Sequence, residues 1–265
     1  MSEPNSIACI KRDYLYRLAK EGKRPDGRKA NEYRPIEIEA DFIDMAEGSA
    51  KVRIGNTLVV AGVKIMEGEP YPDKPDAGAI VTMVELNPLA SPVFEHGPPR
   101  ERATELARVV DRGIRESNTI ALEELCIESG EKAWIVFIDI DVLDYDGNLF
   151  DACSFAASVA LQTAVIPLER YDRGENVPLP VDDPPVSCTW VKYNDTLVVD
   201  PSLDEDEVAD ARLTVAVDKN GDIRAMQKGL SGSFTADEVK KTIKETISLA
   251  PELRKKLEES YGKKD

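Results

Sequence analysis

The stretch D-Y-D-G-N-L-F-D-A-C-S-F-A-A, residues 144–157, leaves an apolar, strand-like run and enters a helix-like one. A turn of that kind can hold a phosphate. The N–H groups at a helix start are free and point outward, and the helix dipole favours an anion there. The residue types do not suit one. Asp146 and Asp151 bring negative charge, and no Arg, Lys or Ser stands at the apex. Cations gather instead on R-A-T-E-L-A-R-V-V-D-R-G-I-R, residues 102–115. At about 100° per residue, Arg108, Arg112 and Arg115 lie within about 60° of one another. Ala103, Leu106, Ala107, Val110 and Ile114 share the opposite, apolar face. Such an arginine row can grip a nucleic-acid backbone, because the guanidinium fork fits phosphate oxygens. It can also be a solvated helix face. Glu105, Asp111 and Glu116 stand three or four residues from these arginines, where ion pairs contribute about 0.2–0.5 kcal/mol each. The acid-dense segment 198–218 reads as a solvated loop.

The elements around these residues follow from periodicity. Ile7, Ile10, Tyr14, Leu15 and Leu18 recur at helical spacing, with Ser6 as a cap, and predict an amphipathic helix over 6–20. K-R-P-D-G-R, 23–28, is a turn. From Ile36 to Met66 the pattern shortens to strands, with hairpin turns expected at Gly48 and at Gly55-Asn56. A strand over 79–90, a helix over 100–117, a long strand over 132–147 and a small-residue helix over 149–166 come next. The proline-rich 171–187 reads as a crossover. V-S-C-T-W-V-K-Y-N-D-T-L-V-V then repeats the rhythm of S-A-K-V-R-I-G-N-T-L-V-V. A hairpin turning at Asn220-Gly221 and a helix opened by the capping box Thr235-x-x-Glu238 complete the chain, with Pro251 expected to break that helix. The fold class is α+β: two related β-rich halves with buried helices. The boundaries expected are 1–22 for an N-terminal helix, 23–187 for the first half with its crossover, and 188–265 for the second.

Composition narrows the function. Hydrophobic residues make up 42% and charged residues 32% of the 265, as in a soluble globular protein. No apolar run spans a membrane and no signal peptide is evident, so a cytoplasmic protein without membrane contact is expected. Cys9, Cys126, Cys153 and Cys188 are far apart and read as buried thiols in a reducing compartment. With them, the single His96 cannot build a common zinc site, and neither metal nor cofactor is expected. The net charge of −16 excludes a generally basic nucleic-acid coat, leaving only a local patch.

R-P-D-G-R at 24–28, A-E-G-S-A-K-V-R-I-G-N-T-L-V-V-A-G-V-K at 46–64, the helix E-R-A-T-E-L-A-R-V-V-D-R-G-I-R-E-S, the strand I-D-I-D-V-L-D-Y-D-G-N and the small-residue helix follow one another in this order. Together they resemble the RNase PH family, over nearly the whole chain. The details are most similar to its non-catalytic members in the archaeal exosome ring. The resemblance implies the RNase PH-like fold, of the ribosomal protein S5 domain 2 type. It implies a subunit without catalytic residues of its own, in a hetero-hexameric ring with a catalytic paralogue that degrades single-stranded RNA from its 3′ end with phosphate. RNA-binding cap subunits are implied as further partners.

In active relatives the turn after the long strand reads roughly Asp-Gly-Gly-Thr-Arg-Thr, where glycine admits the phosphate and hydroxyl and guanidinium bind it. Here it reads Asp146-Gly147-Asn148-Leu149-Phe150-Asp151, and Asp151 adds a negative charge. The same relatives carry paired aspartates for proton transfer or a divalent ion in the acidic segment. One such position falls on Ser202 and another acidic one on Arg212, while Glu205 and Asp206 remain acidic. The resemblance also places the arginine helix beside the partner's active-site cleft, which makes Arg108, Arg112 and Arg115 the expected RNA contacts. The alternative is an active phosphate-dependent 3′–5′ exoribonuclease.

Overall fold

A computed structural model describes residues 6–262, with side chains from Lys11 onward. The Ser6 cap and the Ile7 and Ile10 contacts fall on residues whose side chains lie outside the described ones. Helix α1 (Ser6–Lys20) precedes strands β1 (Ile36–Ala40), β2 (Gly48–Ile54), β3 (Thr57–Gly68) and β4 (Ala79–Leu86). Helix α2 (Glu101–Glu116), β5 (Cys126–Glu128), β6 (Lys132–Asp144) and α3 (Leu149–Gln162) complete the first half. The crossover carries the short strands β7 (Val165–Ile166) and β8 (Val177–Pro178). The second half is β9 (Val186–Tyr193), β10 (Thr196–Val199), α4 (Leu203–Val208), β11 (Ala211–Val217), β12 (Ile223–Gly229) and α5 (Ala236–Tyr261).

The first sheet has the order β1-β2-β3-β6-β4, with β5 alongside β6. Its pairs are antiparallel except β4 with β6, which are parallel. The second sheet has the order β10-β9-β11-β12 and is antiparallel throughout. Helices α2, α3 and α5 lie between the sheets, and each touches strands of both. Helix α3 is buried from Leu149 to Leu161. Its alanines and serines let it pass between two sheets without overfilling the core.

The two-residue turn Gly55-Asn56 joins β2 to β3, and the capping box at Thr235 opens α5, both as expected. Gly48 is not a turn. It opens β2, where a side chain would run into the Ala160 carbonyl and the Ala164 backbone, so glycine is required by close packing. Helix α3 stops at Gln162 rather than 166, because Val165 and Ile166 pair with β8. Helix α5 continues through Pro251. The carbonyl deprived of its donor belongs to Ile247, an exposed residue.

Candidate RNA-facing site and the turn at 146–151

The turn between β6 and α3 is built around Asn148, which adopts a left-handed conformation with φ 51°. Asparagine tolerates that region because its side chain bonds locally. Its Oδ1 accepts from the Asp151 N–H at 3.4 Å and caps α3. Its Nδ2 donates to Asp151 Oδ2 at 2.8 Å and to Asp200 Oδ1 at 2.7 Å. Gly147, at φ 88°, lies hard against the backbone of Pro201 to Leu203. The approach to this helix end is filled by the chain's own backbone and carboxylates.

Asp200 is itself saturated. Arg34 donates to it from Nη2 at 2.8 Å and from Nε at 2.9 Å, and Arg28 donates from Nη1 at 2.9 Å. Burial alone would raise its pKa, but Arg34 and the other donors hold the carboxyl below its usual range. A second pair lies alongside. Arg24 Nη2 donates to Glu205 Oε2 at 2.6 Å, and Nε to Oε1 at 2.9 Å, with both side chains buried. The acidic segment is therefore no solvated loop at Asp200 and Glu205. Its acids are the counter-charges of R-P-D-G-R and Arg34, and Glu205 also closes a capping box on Ser202. In the sequence R-P-D-G-R reads as a turn and as part of the family pattern, with no partner for its arginines. The available signal was its arginines standing in a chain so rich in acid.

Asp151, expected to add a negative charge to the turn, is directed into the interior. It is fully buried and accepts from Thr189 Oγ1 at 2.7 Å, the Thr189 N–H at 3.0 Å and Tyr33 Oη at 2.8 Å. Burial pushes its pKa up to about 6 against these donors. Phe150 is buried, and the Arg212 guanidinium lies 4.0 Å from the centre of its ring. Arg212 in turn donates to Glu105 Oε1 at 2.6 Å. Asp206 faces a different group. It accepts from Tyr145 Oη at 3.0 Å and lies 3.7 Å from Arg102, whose guanidinium stacks on Tyr145 and Phe94.

The arginines of α2 are not alike. Arg115 donates to Asp111 Oδ1 at 3.0 Å and to the Ile80 carbonyl at 3.2 Å, so its charge is spent inside the fold. Among the described residues, Arg112 donates only to Gln227 Oε1 on β12, at 3.3 Å. Arg108 is exposed and makes no hydrogen bond or ion pair among the described residues. The pairs expected from spacing fail for both, since Glu105 is taken by Arg212 and Arg112 turns to Gln227 rather than Glu116. That leaves Arg108 and Arg112 as the exposed cations of this row without an ion pair among the described residues. Among the described residues, no group of His, Cys, Asp or Glu is placed to hold a metal ion, and no helix is long and apolar enough to cross a membrane.

The sequence profile of the 3′ exoribonuclease family, RNase PH, matches in its first domain over residues 32–167 and in its second over residues 183–248. The chain belongs to the RNase PH family. Among its relatives, the exosome complex component Rrp42 of Methanocella arvoryzae is 54% identical over 258 residues, 97% of this chain and 99% of the relative. That of Thermococcus gammatolerans is 52% identical over 270 residues, 99% of each chain. Among solved structures, a chain of the Archaeoglobus fulgidus exosome with RNA bound to the active site superimposes with a TM-score of 0.93. It is 48% identical, covering 95% of this chain and 99% of that one. Rice Rrp46, at 16% identity and a TM-score of 0.69, shares the fold. The turn carries Leu149 and Phe150 at its helix end, and Ser202 and Arg212 stand in the acidic segment.

Proposed function

We propose that this chain is a non-catalytic subunit of an archaeal exosome ring. It completes the ring with a catalytic RNase PH-like paralogue and lends Arg108 and Arg112 to the single-stranded RNA being degraded. By itself it is not an enzyme. One observation carries this reading: the helix end that would seat phosphate is closed by the chain's own groups, with Asn148 donating to Asp151 and Asp200. The side chains that would bind phosphate are absent from the turn. Phosphorolysis without a phosphate seat has no nucleophile in place. The paralogue supplies the chemistry, RNA-binding cap subunits feed the strand, and the assembly works in the cytoplasm.

Two arginines whose charge is not neutralised within the fold suit a backbone contact, because phosphate contacts position a strand without reading its bases. Arg115, spent on Asp111 and Ile80, contributes to the shape of the site and little to its charge. Calorimetric titration of inorganic phosphate tests the closed turn. The chain alone should bind none at millimolar concentration, and the assembled ring should bind one phosphate per pair of subunits. Two per pair would contradict the reading.

A further inference from the structure

The loop 87–100 leaves the end of β4 and folds back over the outer face of β4 and β6, enclosing a cleft of about 730 Å³. Its walls are apolar, with Met83, Leu86 and Val93 among the lining residues, and its floor carries Glu85, Asp139 and Asp141. The parallel register of β4 and β6 sets Met83 beside Asp139 and Glu85 beside Asp141. Glu85 and Asp139 have no hydrogen bond or ion pair among the described residues, and Asp141 accepts only from Asn87 Nδ2, at 3.1 Å. Burial and the neighbouring Asp141 raise the pKa of Asp139, as expected of acids crowded without a counter-charge.

The arginines lining the cleft do not relieve this floor. Arg102 is turned onto the rings of Phe94 and Tyr145, and Arg100 is paired with Glu95. The rim is apolar beyond what a monomer needs. Val93 is 68% exposed, Leu89 on the same loop 84%, and Met83 50%. On the far side of the strand, β4 has no neighbour among the described residues, so this face ends at an open sheet edge.

An RNA phosphate is repelled by such a floor, and a bare cation leaves the apolar rim uncovered. A polypeptide that is both basic and apolar satisfies both. We infer that this cleft seats a segment of a neighbouring ring subunit in which an Arg or Lys is flanked by apolar side chains. The cation meets Asp139, Asp141 and Glu85, and the flanking side chains cover Met83, Leu86 and Val93. This rests on the ring function proposed above and adds to it where the ring closes on this chain and what chemistry the neighbour brings.

The test compares the free chain with the ring purified after mixing with the catalytic paralogue. Oxidation of Met83 by dilute peroxide is followed by mass spectrometry. Protection of at least about tenfold in the ring is expected. Val93→Asp and Asp139→Lys, both at exposed positions, should leave melting of the free chain nearly unchanged. Each should weaken assembly by at least about tenfold, with a salt dependence altered in Asp139→Lys alone. Met83 oxidised as fast in the ring as in the free chain, with both variants assembling normally, overturns the inference. A wild-type chain that never leaves its free mass when mixed fails one step earlier, and it overturns the ring function and this cleft's role together.

Discussion

Asp200 and Asp151 show how a side chain of one type takes opposite electrical roles a few ångströms apart. Asp200 is the shared counter-charge of Arg28 and Arg34, whose side chains are only 9% and 8% exposed. Removing it takes the shared carboxylate from two largely buried guanidinium groups, leaving Arg28 with Asp26 at 2.7 Å and Arg34 with Asp146 at 3.6 Å. Asp200→Asn should therefore destabilise the chain by about 3–5 kcal/mol in urea unfolding. Loss of the Lys11–Asp204 pair, half-exposed on both sides, should cost under about 1 kcal/mol. The two aspartates also differ in pH dependence. The Asp200 pKa is depressed in the fold, so its contribution is present above the unfolded carboxylate value and is lost as pH falls through its folded value. The Asp151 pKa is raised from 3.8 to about 6, so folding is penalised once the unfolded carboxyl ionises. That penalty grows between about pH 4 and pH 6, is constant above, and amounts to about 3 kcal/mol. Asp151→Asn should remove this dependence. The stability of the wild type relative to the variant should rise as pH is lowered from 7 to 4, and a flat difference would show Asp151 ionised throughout.

At the scale of elements, α2 sorts its own arginines by what faces them. Its apolar side rests on β4 and α3, and its polar side runs along β12. Changing Arg108 and Arg112 to Glu should weaken RNA binding by the assembled ring and reduce the log–log salt slope by about 1.4, at about 0.7 per single-strand contact. Melting should change little, because neither arginine is held by an ion pair among the described residues. Arg115→Glu should do the reverse. It sets a carboxylate against Asp111 and the Ile80 carbonyl, lowering stability while leaving the salt slope nearly intact. The helix and its faces were legible in the sequence, because the 3.6-residue period decides them locally. The ion pairs were not. Spacing offers Glu105 to Arg108, but β11 brings Arg212 closer, and such tertiary competition has no local signature. The same limit hid Gly48, which reads as a hairpin turn until α3 is packed against it.

The described residues form two large sheets with three helices between them, the small β7–β8 pair, and a first segment whose arginines are clamped by acids from the second half. Order, strand alternation and the repeated hairpin rhythm made the architecture legible. That the turn enters its helix with Leu149 and Phe150, where neither a hydroxyl nor a guanidinium stands, was legible too. What fills the turn instead was not. That Asn148 would turn left-handed and reach Asp200 depends on a contact across 52 residues, and that Asp200 would meet Arg28 and Arg34 on contacts across 172 and 166. The account's central claim is that this turn keeps the RNase PH shape without a phosphate seat, so that the chain serves a ring and catalyses nothing alone. It is tested most directly by measuring nucleoside diphosphate release from single-stranded RNA with inorganic phosphate and magnesium. The purified chain should release none, and the ring formed with the catalytic paralogue should release it steadily. Nucleoside diphosphates released by the chain alone, and abolished by withholding phosphate, would contradict the account.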